Sequence, residues 1–423
     1  MMFITNEQYC SLQMKTFKYH IHLQCIMLKE EIKVIVEKQR EQLQSEDIGI
    51  KRELLIDILP SFSTIISGIR RCGKSTLLRQ VMTEVKDYYY FNFEDERTFN
   101  FKVEDFQKLD EVFKDLYGES NYYFFDEIQS ITGWELFIRR LVDAKKKVIL
   151  TGSNASLLSK ELGTKLTGRH ITKELFPFSY REYLQLAKEK PGLESFNNYQ
   201  KRGGFPDFIK YKKEQIVQEV LKDILFRDII ARYGLRNDQT IQSLARYLLT
   251  NIGKEFSYHK LQKYLKVGSV NTVIAYMSYL ENSYLIFTAP RFSFSYKKQL
   301  ISPKKVYCID NGLAQSVTSS FSQDQGRMLE NTVFLHLRKN NDKVFYFKGE
   351  KECDFITSNK NNVEKAVQVC VKITNENIQR EIEGLHEARK QTKAKDICII
   401  TVDQEEKIEN IQAIPAWKWL IKN

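Results

Sequence analysis

The most chemically specific stretch of the sequence is the run Gly68-Ile69-Arg70-Arg71-Cys72-Gly73-Lys74-Ser75, followed by Thr76. It matches the pattern G-x-x-x-x-G-K-[ST], in which glycines let successive backbone N–H groups curl around an anion. An apolar run precedes it and a helical pattern over 76–85 follows it, so the helix N-terminus adds its positive dipole end. The pattern predicts a phosphate-binding loop over 68–76. Lys74 would reach the β- and γ-phosphates of ATP, and Ser75 would ligate Mg²⁺.

Two carboxylates, Asp126 and Glu127, supply the second chemical feature. They follow four consecutive aromatic residues at 122–125, a run that predicts a strand buried on both faces. At the end of such a strand Asp126 would hold Mg²⁺ through its water shell, and Glu127 would orient or deprotonate the attacking water. The alternative is a strand end with two solvated acids.

Further strands and helices must position these groups. Runs at 88–93 and 147–152 predict strands, and the run 134–144 predicts a helix between two of them. This alternation favours a doubly wound α/β domain, whose ligand lies at the carboxyl ends of the strands. Asn154 follows one such end, where its amide would position the water or touch the γ-phosphate; a loop-capping role fits the spacing equally well.

Together the segments GIRRCGKST, YYFFDEIQ, ILTGSNASLL and LTGRHITKELFPFSYREYL resemble the AAA+ ATPase superfamily. The likeness is greatest to a widespread prokaryotic group of predicted ATPases with a C-terminal domain of unknown function. The resemblance implies a Walker B role for Asp126 and Glu127 and a sensor-1 role for Asn154. It also makes Arg169 a candidate arginine finger that completes a neighbouring subunit's site, which implies a homo-oligomer. A surface arginine paired with an acid is the alternative for Arg169.

The chain is expected to form a P-loop AAA+ ATPase domain of α/β type and three further parts. We predict a leader or tail over 1–34, the ATPase core over 35–174, a helical lid over 175–240, a winged-helix unit over 241–325 and an endonuclease-like α/β domain over 326–423. Met27 is a possible native start, and a genuine N-terminal tail is the alternative.

The winged-helix prediction comes with a concentration of positive charge. Residues 241–312 contain ten Lys and Arg against three Asp and Glu, although the expected recognition helix from Ser269 to Glu281 has neither Lys nor Arg. The basic residues flank that helix, including Lys260, Lys263 and Lys266, and Asn271 is its strongest base-reading candidate. This arrangement favours DNA binding through phosphates without sequence specificity. The alternative is a helical unit that packs on a partner protein.

In the C-terminal part, the order helix, three strands, helix, strand resembles a restriction-endonuclease fold, with Glu330 and Asp354 at metal-ligand positions. The places of a further acid and a lysine hold Gln368 and Cys370. Neither residue replaces the expected chemistry, although strand alternation puts Lys372 on the same face as Gln368 and Cys370, where it could substitute for the lysine. We therefore expect a domain that does not cleave; an ATP-regulated nuclease is the alternative.

Composition narrows the remaining classes. The 423 residues carry a net charge of +11, which indicates an anionic partner. There is no run of 18 apolar residues, and the seven cysteines include no C-x-x-C pair, so we expect a cytoplasmic protein without a membrane partner. ATP and Mg²⁺ are the expected cofactors and DNA the expected partner. A nucleotide-dependent signalling switch that binds an acidic protein is the third possibility.

Overall fold

The computed structural model of the protein describes residues 27–45, 47–153, 168–317, 325–360 and 362–422. They divide into two compact units. The first takes in residues up to 67, 74–152 and 168–173, and the second takes in 68–73, 153 and the residues from 174 onward. None of the helices in the described part of the chain is long and apolar enough to cross a membrane.

The first unit is built on a five-stranded sheet of order β2-β3-β4-β1-β5. The strands are β1 (Ser63–Ser67), β2 (Tyr89–Asn92), β3 (Tyr122–Asp126), β4 (Lys147–Gly152) and β5 (His170–Glu174). The pairs β2–β3, β3–β4 and β4–β1 are parallel. Among the described residues, four α-helices accompany them: α1 (Lys29–Ser45), α2 (Lys74–Met82), α3 (Phe106–Tyr117) and α4 (Trp134–Asp143). This is the α/β arrangement that the alternating pattern predicts.

Aromatic side chains fill the core of this unit. Tyr123, Phe124 and Phe125 of β3 are at most 1% exposed, which confirms that the strand is buried on both faces. On one side the ring of Phe137 from α4 stacks on Phe106 of α3 at a centroid distance of 4.6 Å. Such offset contacts between large rings stabilise the sheet beyond the burial of their area. The strand end that carries the acids is therefore held rigidly.

The second unit begins with helices that surround the Gly203-Gly204 turn. They are α5 (Tyr180–Ala187), α6 (Leu193–Arg202), α7 (Pro206–Tyr211), α8 (Glu214–Asp223), a π-helical segment (Ile224–Ala231) and α9 (Asp238–Thr250). A side chain at Gly204 would lie 2.3 Å from the carbonyl oxygen of Phe178, so glycine is required there. The Gly204 N–H donates to the Asp310 carboxylate at 2.6 Å, which ties this turn to the next part of the unit.

A small antiparallel sheet of order β6-β8-β7 follows. Its elements are β6 (Glu255–Phe256), α10 (Tyr258–Leu265), α11 (Val270–Asn282), β7 (Ile286–Pro290), α12 (Tyr296–Ile301), β8 (Lys304–Cys308) and α13 (Asn311–Gln315). Ser257 caps α10 as expected, since its hydroxyl accepts from the N–H of Lys260. The two helices beside a sheet hairpin are the elements on which the winged-helix prediction depends.

The C-terminal part contains a six-stranded sheet of order β13-β14-β12-β11-β10-β9. Its elements are α14 (Gln325–Asn340), β9 (Lys343–Lys348), β10 (Glu352–Asn359), β11 (Asn362–Val369), α15 (Ile378–Thr392), β12 (Asp396–Thr401), β13 (Glu406–Ile408), β14 (Ile411–Pro415) and α16 (Ala416–Lys422). The expected succession of helix, three strands, helix and strand is present. However, β11 ends at Val369, before the positions of Cys370 and Lys372.

Candidate functional site

The carboxyl ends of β3 and β4 bring two acids and a hydroxyl together in the first unit. The Thr151 hydroxyl donates to the carboxylate of Asp126 and accepts from the backbone N–H of Glu127 at 2.9 Å. Glu127 adopts a left-handed backbone with φ 51°, which ends the strand and turns its side chain away from the strand direction. Both acids are buried, so they are not the two solvated carboxylates of the alternative interpretation.

The side chain of Lys74, the first residue of α2, pairs with Glu127. Its ammonium lies 3.2 Å from a carboxylate oxygen of Glu127, and Gln129 donates a hydrogen bond to the same carboxylate. Lys74 is 5% exposed. Because this ion pair is buried, water does not solvate the ammonium of Lys74. The ammonium can therefore interact directly with an anion that binds here.

Burial and the neighbouring Glu127 raise the pKa of Asp126 to about 6, against hydrogen bonds from Thr151 and Ser75 and the charge of Lys74, which lower it. A carboxylate that is costly to ionise by itself is stabilised by a bound cation. The oxygens of Ser75 and Asp126 are the hard donors that Mg²⁺ prefers, so this pair fits the ion. Among the described residues no group of three or more His, Cys, Asp or Glu is placed to hold a metal, so water and substrate phosphates would complete the shell.

The loop between β1 and α2 has the backbone of an anion cradle at two positions. Arg71 and Gly73 adopt positive φ values of 64° and 96°. Gly68 is required for packing, since an added Cβ would lie 2.2 Å from the carbonyl oxygen of Leu175. Arg70 is held by a carboxylate in the second unit, that of Asp228.

The remaining predicted residues are not gathered in this way. Asn154 lies outside the described residues. Arg169 pairs with Asp143 at the end of α4, and half of each side chain is exposed. That contact is a surface pairing of an arginine with an acid, the alternative given for Arg169.

A separate acidic pair lies in the second unit, and a lysine closes it. The ammonium of Lys305 on β8 is 3.2 Å from Glu330 and 3.5 Å from Asp354. The Tyr307 hydroxyl donates to the same oxygen of Glu330 at 2.8 Å. The amide of Gln368 is engaged too, since its oxygen accepts from the N–H of Asp354 and its nitrogen donates to Glu381.

Two expectations about lysines are therefore wrong. Lys305 does not belong to the exposed basic surface around α11, because it is 8% exposed and faces two carboxylates. Lys372 does not join the face of Gln368, because β11 ends three residues earlier and the side chain is exposed.

The charged groups of this cluster shift the pKa values of their neighbours. Burial and the charge of Asp354 raise the pKa of Glu330 to about 7. Burial alone lowers the pKa of Lys305, but the two carboxylates outweigh it and leave that pKa above its usual range. The cluster is thus a cation with two anions, arranged as a buried structural ion pair with an additional acid.

Sequence reasoning missed three contacts: that of Thr151 with Asp126 and Glu127, the Arg70–Asp228 pair, and that of Lys305 with Glu330 and Asp354. The two-residue period of a strand gives one signal. Lys305 and Tyr307 are two positions apart, so their side chains lie on the same face of β8. Their partners lie 23 or more positions away along the chain, so no local pattern names them.

Three family models match successive parts of the chain. The sequence model of an AAA domain matches residues 61–184. Two domains of unknown function follow, DUF8612 over residues 193–324 and DUF4143 over residues 325–419. Among solved structures, a DNA polymerase III gamma subunit-related protein from Thermotoga maritima is 13% identical. It covers 73% of this chain and 85% of that one, with a TM-score of 0.25. A likeness of that size carries no argument about function.

Relatives with curated sequences extend over most of the chain. An uncharacterized protein of Haemophilus influenzae is 29% identical over 385 residues, or 85% of this chain and 94% of that protein. The uncharacterized protein MJ1544 of Methanocaldococcus jannaschii is 34% identical over 410 residues, or 88% of this chain and 90% of that protein. The chain therefore belongs to the family of MJ1544, and its N-terminal part contains an AAA domain with a parallel-sheet α/β core.

Proposed function

We propose that the protein binds ATP and hydrolyses it with Mg²⁺, and that its nucleotide state controls a basic surface that contacts DNA. The observation that supports hydrolysis best is the buried pairing of Lys74 with Glu127 beside Asp126. A cation for the phosphates, a base for water and a carboxylate for the metal lie at one sheet edge, and an AAA domain matches this part of the chain.

The chemistry assigns a distinct task to each side chain. The β- and γ-phosphates draw the ammonium of Lys74, which releases the carboxylate of Glu127 to accept a proton from water. The water oxygen then bonds to the γ-phosphorus, and the bond from that phosphorus to the β–γ bridging oxygen breaks, giving ADP and phosphate. Mg²⁺ on Asp126 and Ser75 would neutralise charge on the phosphate oxygens.

DNA contact is supported by the exposed lysines of the second unit. Lys254, Lys260, Lys263, Lys266, Lys297 and Lys298 precede or follow α11 along the chain and are exposed, while α11 itself offers Asn271. Lysines that flank a helix without basic residues suit phosphate contacts more than base readout. We infer that binding is largely independent of sequence. A homo-oligomer completed by Arg169 and a cytoplasmic location belong to the same proposal.

For the C-terminal domain we propose a role without cleavage. The ammonium of Lys305 pairs with both Glu330 and Asp354. A protein cation therefore already neutralises the two carboxylates that would bind a divalent metal. The Gln368 amide donates to Glu381 and accepts from the N–H of Asp354, and it supplies no carboxylate for a metal. This favours the ATPase over the ATP-regulated nuclease.

The decisive experiment measures the rate of ATP hydrolysis by the full chain with and without duplex DNA. We expect Mg²⁺-dependent hydrolysis that Lys74→Ala abolishes. Glu127→Gln should retain ATP binding and lose roughly 10²-fold or more in rate, the usual effect of removing a general base. DNA should raise the wild-type rate. No hydrolysis would overturn the enzymatic proposal, and a rate indifferent to DNA would favour an acidic protein partner.

A further inference from the structure

Arg70, in the middle of the phosphate-binding loop, is engaged with a carboxylate far along the chain. Its Nε and one Nη each donate to an oxygen of Asp228 at 3.1 Å, a two-point contact between a planar guanidinium and a carboxylate. The Arg70 side chain is 15% exposed and that of Asp228 is 3% exposed. Two parallel charged hydrogen bonds in so sheltered a place fix the direction of the arginine.

Asp228 belongs to the π-helical segment Ile224–Ala231. Such segments are rare and are frequently found at functional sites. Ile224 and Ile229 of the segment are fully buried, so it is packed into its unit and not frayed. A change in the position of Asp228 therefore involves the packing of the segment as well as one side chain.

A guanidinium binds phosphate with the same fork geometry that it uses for a carboxylate. ATP in the loop would bring three or four negative charges close to Arg70, and these compete with the single charge of Asp228. The same charges repel Asp228. Arg70 cannot satisfy both anions with the same N–H groups, so occupancy of the loop and the Arg70–Asp228 contact oppose each other.

We propose that Asp228 is a positioning residue that holds Arg70 while the loop is empty and yields it to the phosphates of bound ATP. Loss of the contact then frees the π-helical segment. In this way Asp228 links the occupancy of the loop to the π-helical segment of the same unit. The inference rests on the proposed ATP binding and deepens it by naming the contact that senses the nucleotide.

The test is a double-mutant cycle on ATP affinity, measured with Mg²⁺ by equilibrium binding to the full chain. Asp228→Asn removes the competing charge and should tighten ATP binding on the order of tenfold, the value of one charged hydrogen-bonded contact. Arg70→Gln should weaken binding. In the Arg70→Gln background, Asp228→Asn should have far less effect, because the competition needs the guanidinium. Asp223→Asn, at the end of α8, is the charge-matched control and should leave the affinity unchanged.

Amide hydrogen exchange over residues 224–231 gives a readout that does not depend on activity. Saturating ATP should increase exchange there in the wild type and not in Arg70→Gln. Asp228→Asn should show the higher exchange without ATP. If Asp228→Asn does not fold, as judged by circular dichroism, the response of Arg70→Gln decides alone.

The outcomes separate this inference from the one beneath it. ATP binding that depends on Lys74, together with equal effects of Asp228→Asn in both backgrounds, would overturn the role of Asp228 and leave the proposed function intact. An ATP response in Arg70→Gln as large as in the wild type would do the same. Absence of any binding that depends on Lys74 would overturn both.

Discussion

At the scale of single residues, the buried charges of this protein are paired in ways that differ in consequence. Lys74 is paired with Glu127 next to Asp126, the candidate metal ligand. A bound anion would compete with Glu127 for the ammonium of Lys74. Lys305 pairs with both Glu330 and Asp354, and the Tyr307 hydroxyl donates a hydrogen bond to Glu330. In the proposed function a phosphate ligand would exchange with Glu127 in the first pair, whereas the second pair involves only groups of the protein.

Removal of the closed cluster's cation should be costly. Lys305→Met leaves the carboxylates of Glu330 and Asp354, whose side chains are only 16% and 17% exposed, without their cation, and we expect a loss of about 3 kcal/mol in the free energy of unfolding at pH 8. Urea denaturation measures it. Lys304→Met, on the half-buried neighbouring residue, is the matched control and should cost far less. The triple variant Lys305→Met/Glu330→Gln/Asp354→Asn should recover much of the loss. Equal stability of wild type and Lys305→Met would contradict the assignment.

At the scale of elements, the lysines that the proposed DNA contact would use lie on α10 and the turn after it, and not on α11. α10 and the turn after it present Lys260, Lys263 and Lys266 to solvent, while α11 packs through Val273, Met277 and Leu280. Its N-terminus is capped by Ser269, whose hydroxyl accepts from the N–H of Asn271. A basic helix beside one that lacks Lys and Arg favours the proposed contact with the DNA backbone over base readout.

The salt dependence of DNA binding tests this division. Each lysine that neutralises a phosphate contributes about 1 to the slope of log affinity against log salt. Lys260→Gln/Lys263→Gln should therefore weaken binding to all duplexes alike and reduce the slope by about 2. Lys390→Gln/Lys407→Gln, on exposed lysines of α15 and β13, is the control and should change neither quantity. A flat salt slope for the wild type would contradict phosphate contact.

At the scale of the whole molecule, the stability of the protein depends on pH through a histidine of the second unit that is neutral in the folded state. His336 on α14 packs its ring 4.5 Å from that of Trp419 on α16. Burial, and then the charges of Lys339, Arg181 and Lys365, lower the pKa of His336 to about 3. The histidine is therefore neutral in the native protein at pH values where the unfolded chain protonates it.

The sign of the pH dependence follows from that difference. The contribution of neutral His336 is fully present above the unfolded pKa of about 6.5 and is lost as pH falls toward the folded value. At pH 5 the loss is about 2 kcal/mol. We expect urea midpoints to fall between pH 7 and pH 5, and His336→Gln to make that fall shallower. His259→Gln, on exposed α10, is the control. An unchanged pH profile in His336→Gln would contradict the burial of a neutral ring.

Local patterns predicted much of the fold and of the nucleotide site. The loop from Gly68 to Ser75, the aromatic strand before Asp126 and the order of elements in the C-terminal part all follow from short-range periodicity and turn chemistry. The extent of β11 did not, because its end at Val369 is decided by pairing with β10 and β12 and not by the run of apolar residues.

By itself the sequence determined the α/β core, the phosphate-binding loop, the acids at the end of β3 and the excess of positive charge. Each of these is a property of neighbouring residues, so it is written in a continuous stretch of chain. Tertiary structure alone decided that Lys74 meets Glu127, that Arg70 meets Asp228, and that Lys305 closes the acidic pair of Glu330 and Asp354. The physical reason is that an ion pair depends on distance and burial, which join residues up to 158 positions apart and which no spacing along the chain records.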